Sequence, residues 1–223
     1  MDEQGTPPGL RRAVGDRASH DYIVAELARH FPDDAVLSEE GADDAARLTA
    51  ERVWIVDPLD GTREFGEVGR TDWAVHVALV VDGSVVAAAV ALPAHGLTLV
   101  TEPAPPPPEP RDGPVRLVVS RSRPPAVAAA LAQRLGGLLL PLGSAGAKAM
   151  AVVLGEADIY AHSGGQYEWD SAAPIGVAAA AGLHVSRLDG SPLEYNRPDP
   201  WLPDLLICRQ EYVGDVLALT RRG

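Results

Sequence analysis

The chain has 223 residues, 46% of them hydrophobic and 22% charged, which suits a globular protein with a large core in one large domain or two small ones. With 31 acidic against 19 basic residues the formal charge is −12, which excludes nucleic-acid polymers and anionic membranes as partners but not a small anion held through divalent cations. The single cysteine, Cys208 in the apolar run Leu205-Leu206-Ile207-Cys208, rules out an intramolecular disulfide and points to a reducing cytoplasm.

Met1 to Val14 is polar, carries two prolines and lacks the apolar stretch of a signal peptide; Met1 to Gly9 is expected to be disordered. Asp16 precedes a helical pattern of Ile23, Leu27 and Phe31 that Pro32 stops. Ala35 to Ser38 reads as a strand delivering Glu39 and Glu40, and Arg52 to Val56 as a second strand delivering Asp57. Trp73 to Val81 and Val85 to Leu92 form a hairpin around Asp82-Gly83-Ser84, a turn that also interrupts the longest apolar region and so excludes a membrane span. Leu97 to Thr101 adds a third antiparallel strand.

Glu102 to Pro114 holds seven prolines in 13 residues, a composition that cannot sit inside a sheet. The spacing therefore predicts an N-terminal α+β subdomain over 1–114, carrying the metal site, and a C-terminal α/β subdomain over 115–223. The two form one functional unit with the site between them. In the second half strands are expected at Val115 to Ser120, Leu138 to Leu142, Ala157 to His162 and Leu205 to Cys208. Helices are expected at Pro125 to Leu135, Ala145 to Leu154 and Ser171 to Ala181, with another at the C-terminus.

The chemistry concentrates in Asp57-Pro58-Leu59-Asp60-Gly61-Thr62. Pro58 keeps Asp57 extended, and a turn can bring Asp60 to the same side with the Leu59 carbonyl between the two carboxylates. Gly61 permits a positive φ, and Thr62 can start a helix. Hard oxygen ligands beside helix-start amides suit magnesium and phosphate respectively. An acidic turn followed by a capped helix has the same local signature. Two further carboxylate sites, Glu39-Glu40 at a neighbouring strand end and Asp170 at an expected helix N-cap, favour the metal reading. His76, His95 and His184 lie singly in apolar surroundings and read as structural.

At these residues the sequence resembles the inositol monophosphatase superfamily of lithium-sensitive, magnesium-dependent phosphatases. The pattern is Glu39-Glu40, then Asp57 to Thr62, then Trp169-Asp170 before Ser171-Ala172-Ala173. It is most similar to the CysQ-type 3′(2′),5′-bisphosphate nucleotidases, through Arg63-Glu64-Phe65, Ser120-Arg121-Ser122, Gly143 to Lys148, Asp189 to Leu193 and Tyr195-Asn196. The resemblance implies a layered α-β-α-β-α sandwich of the sugar-phosphatase type. Only 15 residues precede Asp16, so most of the first helix is expected to be missing.

The resemblance also implies the activity: release of the 3′-phosphate of 3′-phosphoadenosine 5′-phosphate, a by-product of sulfate-activation chemistry, or of its 5′-phosphosulfate. One magnesium ion would be held by Glu39, Asp57 and the Leu59 carbonyl, and a second by Asp57, Asp60 and Asp170, with a third, weaker ion near Asp16. A water would be activated by Glu39 and Thr62, with Asp16 supporting Thr62. Leu59, Asp60, Gly61, Thr62 and Asp170 would surround the phosphate. Ser144, Gly146, Lys148, Arg121 and Glu168 would meet the rest of the substrate, together with Arg123. Two alternatives stand beside this: a sugar phosphatase for inositol monophosphate or fructose 1,6-bisphosphate, and a non-catalytic metal- or nucleotide-binding protein. Ser163 replaces the acidic ligand of inositol-specific relatives. A homodimer is compatible with the resemblance.

Overall fold

A computed structural model describes residues 8–221. Helix α1 (Pro8–His30) comes first, followed by strands β1 (Ala35–Ser38) and β2 (Arg52–Asp60), the short helix α2 (Thr62–Gly66), and strands β3 (Ala74–Val81), β4 (Ser84–Leu92) and β5 (Leu97–Val100). These strands make one sheet in the order β1-β2-β3-β4-β5, in which β1 and β2 are parallel and the remaining pairs antiparallel. The second half contributes β6 (Arg116–Ser120), α3 (Ala126–Leu135), β7 (Leu138–Leu142), α4 (Ala145–Val153), β8 (Ile159–Tyr167), α5 (Glu168–Ala180), β9 (His184–Ser186), β10 (Trp201–Cys208) and α6 (Val213–Thr220). Its sheet has the order β7-β6-β8-β10-β9, with β6 parallel to both neighbours and β10 antiparallel to β8 and β9.

Helices α4 and α5 pack on each other and reach both sheets, so they form the middle layer. On the outer faces, α1 lies on β2, while α3 packs on β6, β7 and β8 and meets α6. The result is a five-layer α-β-α-β-α stack. Its main core runs from Val53, Ile55, Val80 and Val90 through Met150, Val152, Ile175 and Val177 to Tyr160, Leu205 and Ile207. Small side chains on the middle helices, such as Ala149, Ala172, Ala173 and Ala178, let both sheets approach closely. A smaller cluster around Leu117, Leu131, Leu206 and Val216 fills the outer layer beneath α3 and α6.

Most element limits fall within a residue or two of those expected, but β2 runs on to Asp60, β10 begins at Trp201, β9 is an added strand, and three further departures bear on the site. Helix α1 already includes Pro8, where the described residues begin, so Asp16 lies inside it and Gly9 belongs to the helix; the rest of the segment expected to be disordered lies outside the described residues. Strand β8 runs on past His162 through Gly164 and Gly165, whose φ angles of 108° and 87° shift its register against β10. Helix α5 starts at Glu168, which makes Asp170 the third helical residue rather than the N-cap.

Candidate active site

Asp57 and Asp60 are three residues apart, and in a regular strand they would face opposite sides of the sheet. A register irregularity in β2 between Asp57, opposite His76, and Asp60, opposite Ala74, removes that alternation. The Leu59 amide donates to Asp57 Oδ1 at 3.0 Å and fixes the bend. Gly61 follows with φ 84°, and a Cβ there would lie 2.8 Å from the Ser144 Cβ, so the position needs glycine for both conformation and space. The turn thus returns Asp60 beside Asp57, and α5 brings Asp170 in from the second half. Carboxylate oxygens of Asp57, Asp60 and Asp170 all lie within 4.8 Å of one another.

Each carboxylate is held differently. Asp60 is gripped by the start of α4: Ala145 N donates to Oδ1 at 3.1 Å and Gly146 N to Oδ2 at 2.5 Å. His76 Nε2 lies 3.2 Å from the same Oδ2, and His76 Nδ1 is 3.1 Å from the Trp169 carbonyl. Asp170 Oδ2 accepts from Tyr167 N at 2.6 Å. Asp57 Oδ2 is buried with no partner.

Crowding among these acids shows in their titration. Burial, then the Asp60 charge, pushes Asp170 up to about 6, and the same causes hold Asp57 well above its ordinary value. Glu39 is exposed as a residue, yet its carboxylate faces the cluster, and desolvation followed by the Asp170 charge raises it to about 7. Asp60 is the exception, since His76, Lys148 and the Gly146 amide outweigh its desolvation and lower its pKa. Three converging carboxylates, one with an orphaned buried oxygen, form a hard-oxygen donor set that fits a divalent cation such as magnesium.

Beside the acids opens a cavity of about 310 Å³ whose other walls include Ser120, Arg123, Lys148, His162, Gln166 and Tyr167. Among the described residues the Arg123 side chain makes no hydrogen bond or ion pair, so its charge is available at that wall. Lys148 is buried, donates to the Gly143 and Ser144 carbonyls at 2.7 Å each, and has its pKa lowered by burial.

Several residues expected at the substrate have other partners. Arg121 is paired with Glu64 at 2.6 Å and Glu67 at 2.7 Å, because α2 turns its acidic side toward β6. Ser144 Oγ caps α4 through Ala147 N at 2.8 Å, and the Gly146 amide is taken by Asp60. Glu168 is fully buried and accepts from the Asn196 and Arg197 amides at 2.7 and 2.9 Å, behind the cavity wall. Nor does Asp16 hold Thr62. The Thr62 hydroxyl donates to the Leu59 carbonyl at 3.0 Å, while Asp16 is buried with Oδ1 unpartnered and its pKa raised to about 6 by burial and Glu40.

His76 is the reverse case, a member of the site that the sequence reading assigned to structure. Its apolar neighbours in β3 gave no hint, because the Asp60 contact depends on the β2 irregularity. His184 bonds only to Ser186 at 2.9 Å, and His95 ends an exposed turn. Gln166 and Tyr167 enter the cavity only because β8 is longer than its apolar run.

Comparison with known proteins agrees with this geometry. The family model described as the inositol monophosphatase family matches residues 13–104 and 114–216. A Mycobacterium bovis protein named 3′-phosphoadenosine 5′-phosphate phosphatase is 55% identical over 208 residues, covering 89% of this chain and 77% of that protein. The crystal structure of CysQ from Bacteroides thetaiotaomicron superposes with a TM-score of 0.75 at 30% identity, covering 87% of this chain and 83% of that one. Inositol monophosphatase II from Staphylococcus aureus gives a TM-score of 0.79 at 20% identity, with 98% and 89% coverage, and shares the fold. With sequence match, fold and acidic cluster in agreement, the chain belongs to the inositol monophosphatase family.

Proposed function

We propose that the chain is a magnesium-dependent 3′(2′),5′-bisphosphate nucleotidase that releases the 3′-phosphate of 3′-phosphoadenosine 5′-phosphate. The observation that carries this reading is the convergence of Asp57, Asp60 and Asp170 at a cavity whose other wall holds the unpaired Arg123, a place for one phosphate at the acids and a second anionic group opposite. The mycobacterial relative bears the name of this activity.

Asp57, Asp60, Asp170, Glu39 and the Leu59 carbonyl would hold the ions, two in number with a third near Asp16. Magnesium supplies charge neutralisation and Lewis-acid activation of water for in-line displacement at phosphorus. The chain's own groups do the rest. The Glu39 carboxylate, which faces the cluster, is placed to take the proton of the attacking water. Thr62 Oγ1 gives its own proton to Leu59, which leaves its lone pairs to orient that water. The Gly61 and Thr62 amides, at a helix start without intrahelical partners, would bind the transferring phosphate oxygens.

The two halves, 1–114 and 115–223, act as one unit in this scheme, since Asp170 comes from the second and the other ligands from the first. The protein would work in the cytoplasm on a small phosphorylated substrate; among the described residues no helix is long and apolar enough to cross a membrane.

Phosphate release from 3′-phosphoadenosine 5′-phosphate, inositol 1-phosphate and fructose 1,6-bisphosphate, each with magnesium and with EDTA, tests the reading. The nucleotide should be preferred, and EDTA should abolish turnover. Preference for either sugar phosphate would overturn the nucleotidase assignment.

A further inference from the structure

Tyr167 ends β8 at the rim of the acidic cavity and lines it, yet it remains 46% exposed. Its ring lies nearly parallel to that of Trp169, with centroids 4.7 Å apart and an interplanar angle of 12°. One face of the tyrosine is therefore covered, and the exposure belongs to the remainder of the ring. Its backbone is tied to the site as well, since Tyr167 N donates to Asp170 Oδ2. Across the sheet its register partner is Trp201, a second aromatic at 43% exposure, whose indole closes over Gly165. A flat, rigid, half-wetted aromatic surface thus adjoins the carboxylate cluster. Core packing does not account for it, because this part of the ring touches no core. Aromatic faces of this kind favour stacking with another planar ring, and every nucleobase presents one. Inositol and fructose phosphates present none.

We propose that Tyr167 is the residue that reads the nucleobase, its ring, backed by Trp169, serving as the stacking platform for a purine whose phosphate lies at Asp57, Asp60 and Asp170. This rests on the nucleotidase reading and adds the feature that separates a nucleotide from a sugar phosphate at the same acids. Tyr167 occupies the rim beside Asp170.

The test compares wild type with Tyr167→Ala and Tyr167→Phe in the presence of magnesium. It reads KM and kcat for 3′-phosphoadenosine 5′-phosphate and the competitive inhibition constant of inorganic phosphate, a probe of the acids that carries no base. Loss of the ring should raise KM for the nucleotide roughly 10- to 100-fold while the phosphate constant stays put. Phenylalanine should restore the wild-type KM, since the stacking face is kept. If alanine leaves the nucleotide KM unchanged, or weakens nucleotide and phosphate equally, the platform is refuted; the second result would place Tyr167 in support of Asp170 instead. A wild-type protein that does not turn over the nucleotide would refute the nucleotidase reading and the platform with it. Turnover with a ring-independent KM would refute the platform alone.

Discussion

Replacing Glu168 should damage the fold rather than the affinity for substrate. The residue stands at the first position of α5 with both oxygens engaged, by Asn196 N at 2.7 Å and Arg197 N at 2.9 Å. Asn196, with φ 58°, exchanges further bonds with the buried Arg47, which is clasped by Asp43. Glu168 therefore anchors a network joining α5, the 195–197 loop and the segment before β2. Hydrogen bonds to a charged group contribute about 1.5–3 kcal/mol each, and two sharing one carboxylate add incompletely, so Glu168→Ala should cost about 3–5 kcal/mol. Glutamine keeps one acceptor but turns an N–H₂ toward a backbone N–H, a loss of about 2–3 kcal/mol. For a chain of this size each kcal/mol moves the thermal midpoint by about 2–4 °C, which gives about 4–12 °C for glutamine and about 6–20 °C for alanine. Thermal unfolding read by circular dichroism, run beside KM for the nucleotide at a temperature where both variants are folded, decides the matter. A Glu168→Gln protein with the wild-type midpoint and a raised KM would show that the carboxylate faces the substrate and that this reasoning is wrong.

Three further outcomes follow from the site. Glu39, Asp16 and Asp170 have folded-state pKa values of about 7, 6 and 6, above ordinary values of 4.5, 3.8 and 3.8, so between pH about 4 and 7 the folded state binds more protons than the unfolded. Metal-free protein should therefore lose stability as pH rises through that window, and magnesium should restore it; urea midpoints in EDTA that are as high at pH about 8 as at pH about 5 would contradict this. Gly146→Ala places a Cβ into His76 Nε2 and 2.9 Å from the Ala74 Cβ while shifting the amide that holds Asp60. It should destabilise by about 1–3 kcal/mol and lower kcat, and a gain in midpoint from helix propensity would show that the contact yields freely. Asp57→Asn should cut phosphate release by orders of magnitude yet leave the metal-free protein as stable as wild type or more so, because it removes a buried charge crowded by Asp60 and Glu39 while its oxygen can still accept the Leu59 amide; a lower midpoint in EDTA would count against that account.

The elements and the Asp57–Thr62 turn were legible because they rest on local signals, whereas the layered order and the joining of Asp170 to that turn came from the family resemblance. Strand alternation, the Gly136 helix stop and the Pro58 and Gly61 turn are properties of a few adjacent residues. What escaped depended on contacts across the chain. Arg121 looks like a phosphate ligand until α2 supplies Glu64 and the residue capping it, Glu67, and Glu168 looks like a pocket residue until the 195–197 loop folds over it. The extent of α1 was hidden for another reason. Its first turns bury little apolar surface, and the identity of Gly15 makes sense only from the Phe65 ring, which would lie 2.5 Å from a Cβ there. His76 was lost to the same cause, since a histidine flanked by valines has no visible partner until β2 bends.

Asp60 is held by two amides of α4 and also belongs to the triad, whereas Asp57 accepts one amide, from Leu59, and its Oδ2 accepts none. The two aspartates therefore age differently under mutation. A lineage released from the need to cleave phosphate would still be penalised for losing Asp60, because the seam between α4 and β2 would open. It would lose less with Asp57, whose structural tie is the single bond from the Leu59 amide. Among relatives that have drifted from catalysis, Asp57 should vanish first and Asp60 should linger, so a retained Asp57 is the better mark of a working enzyme.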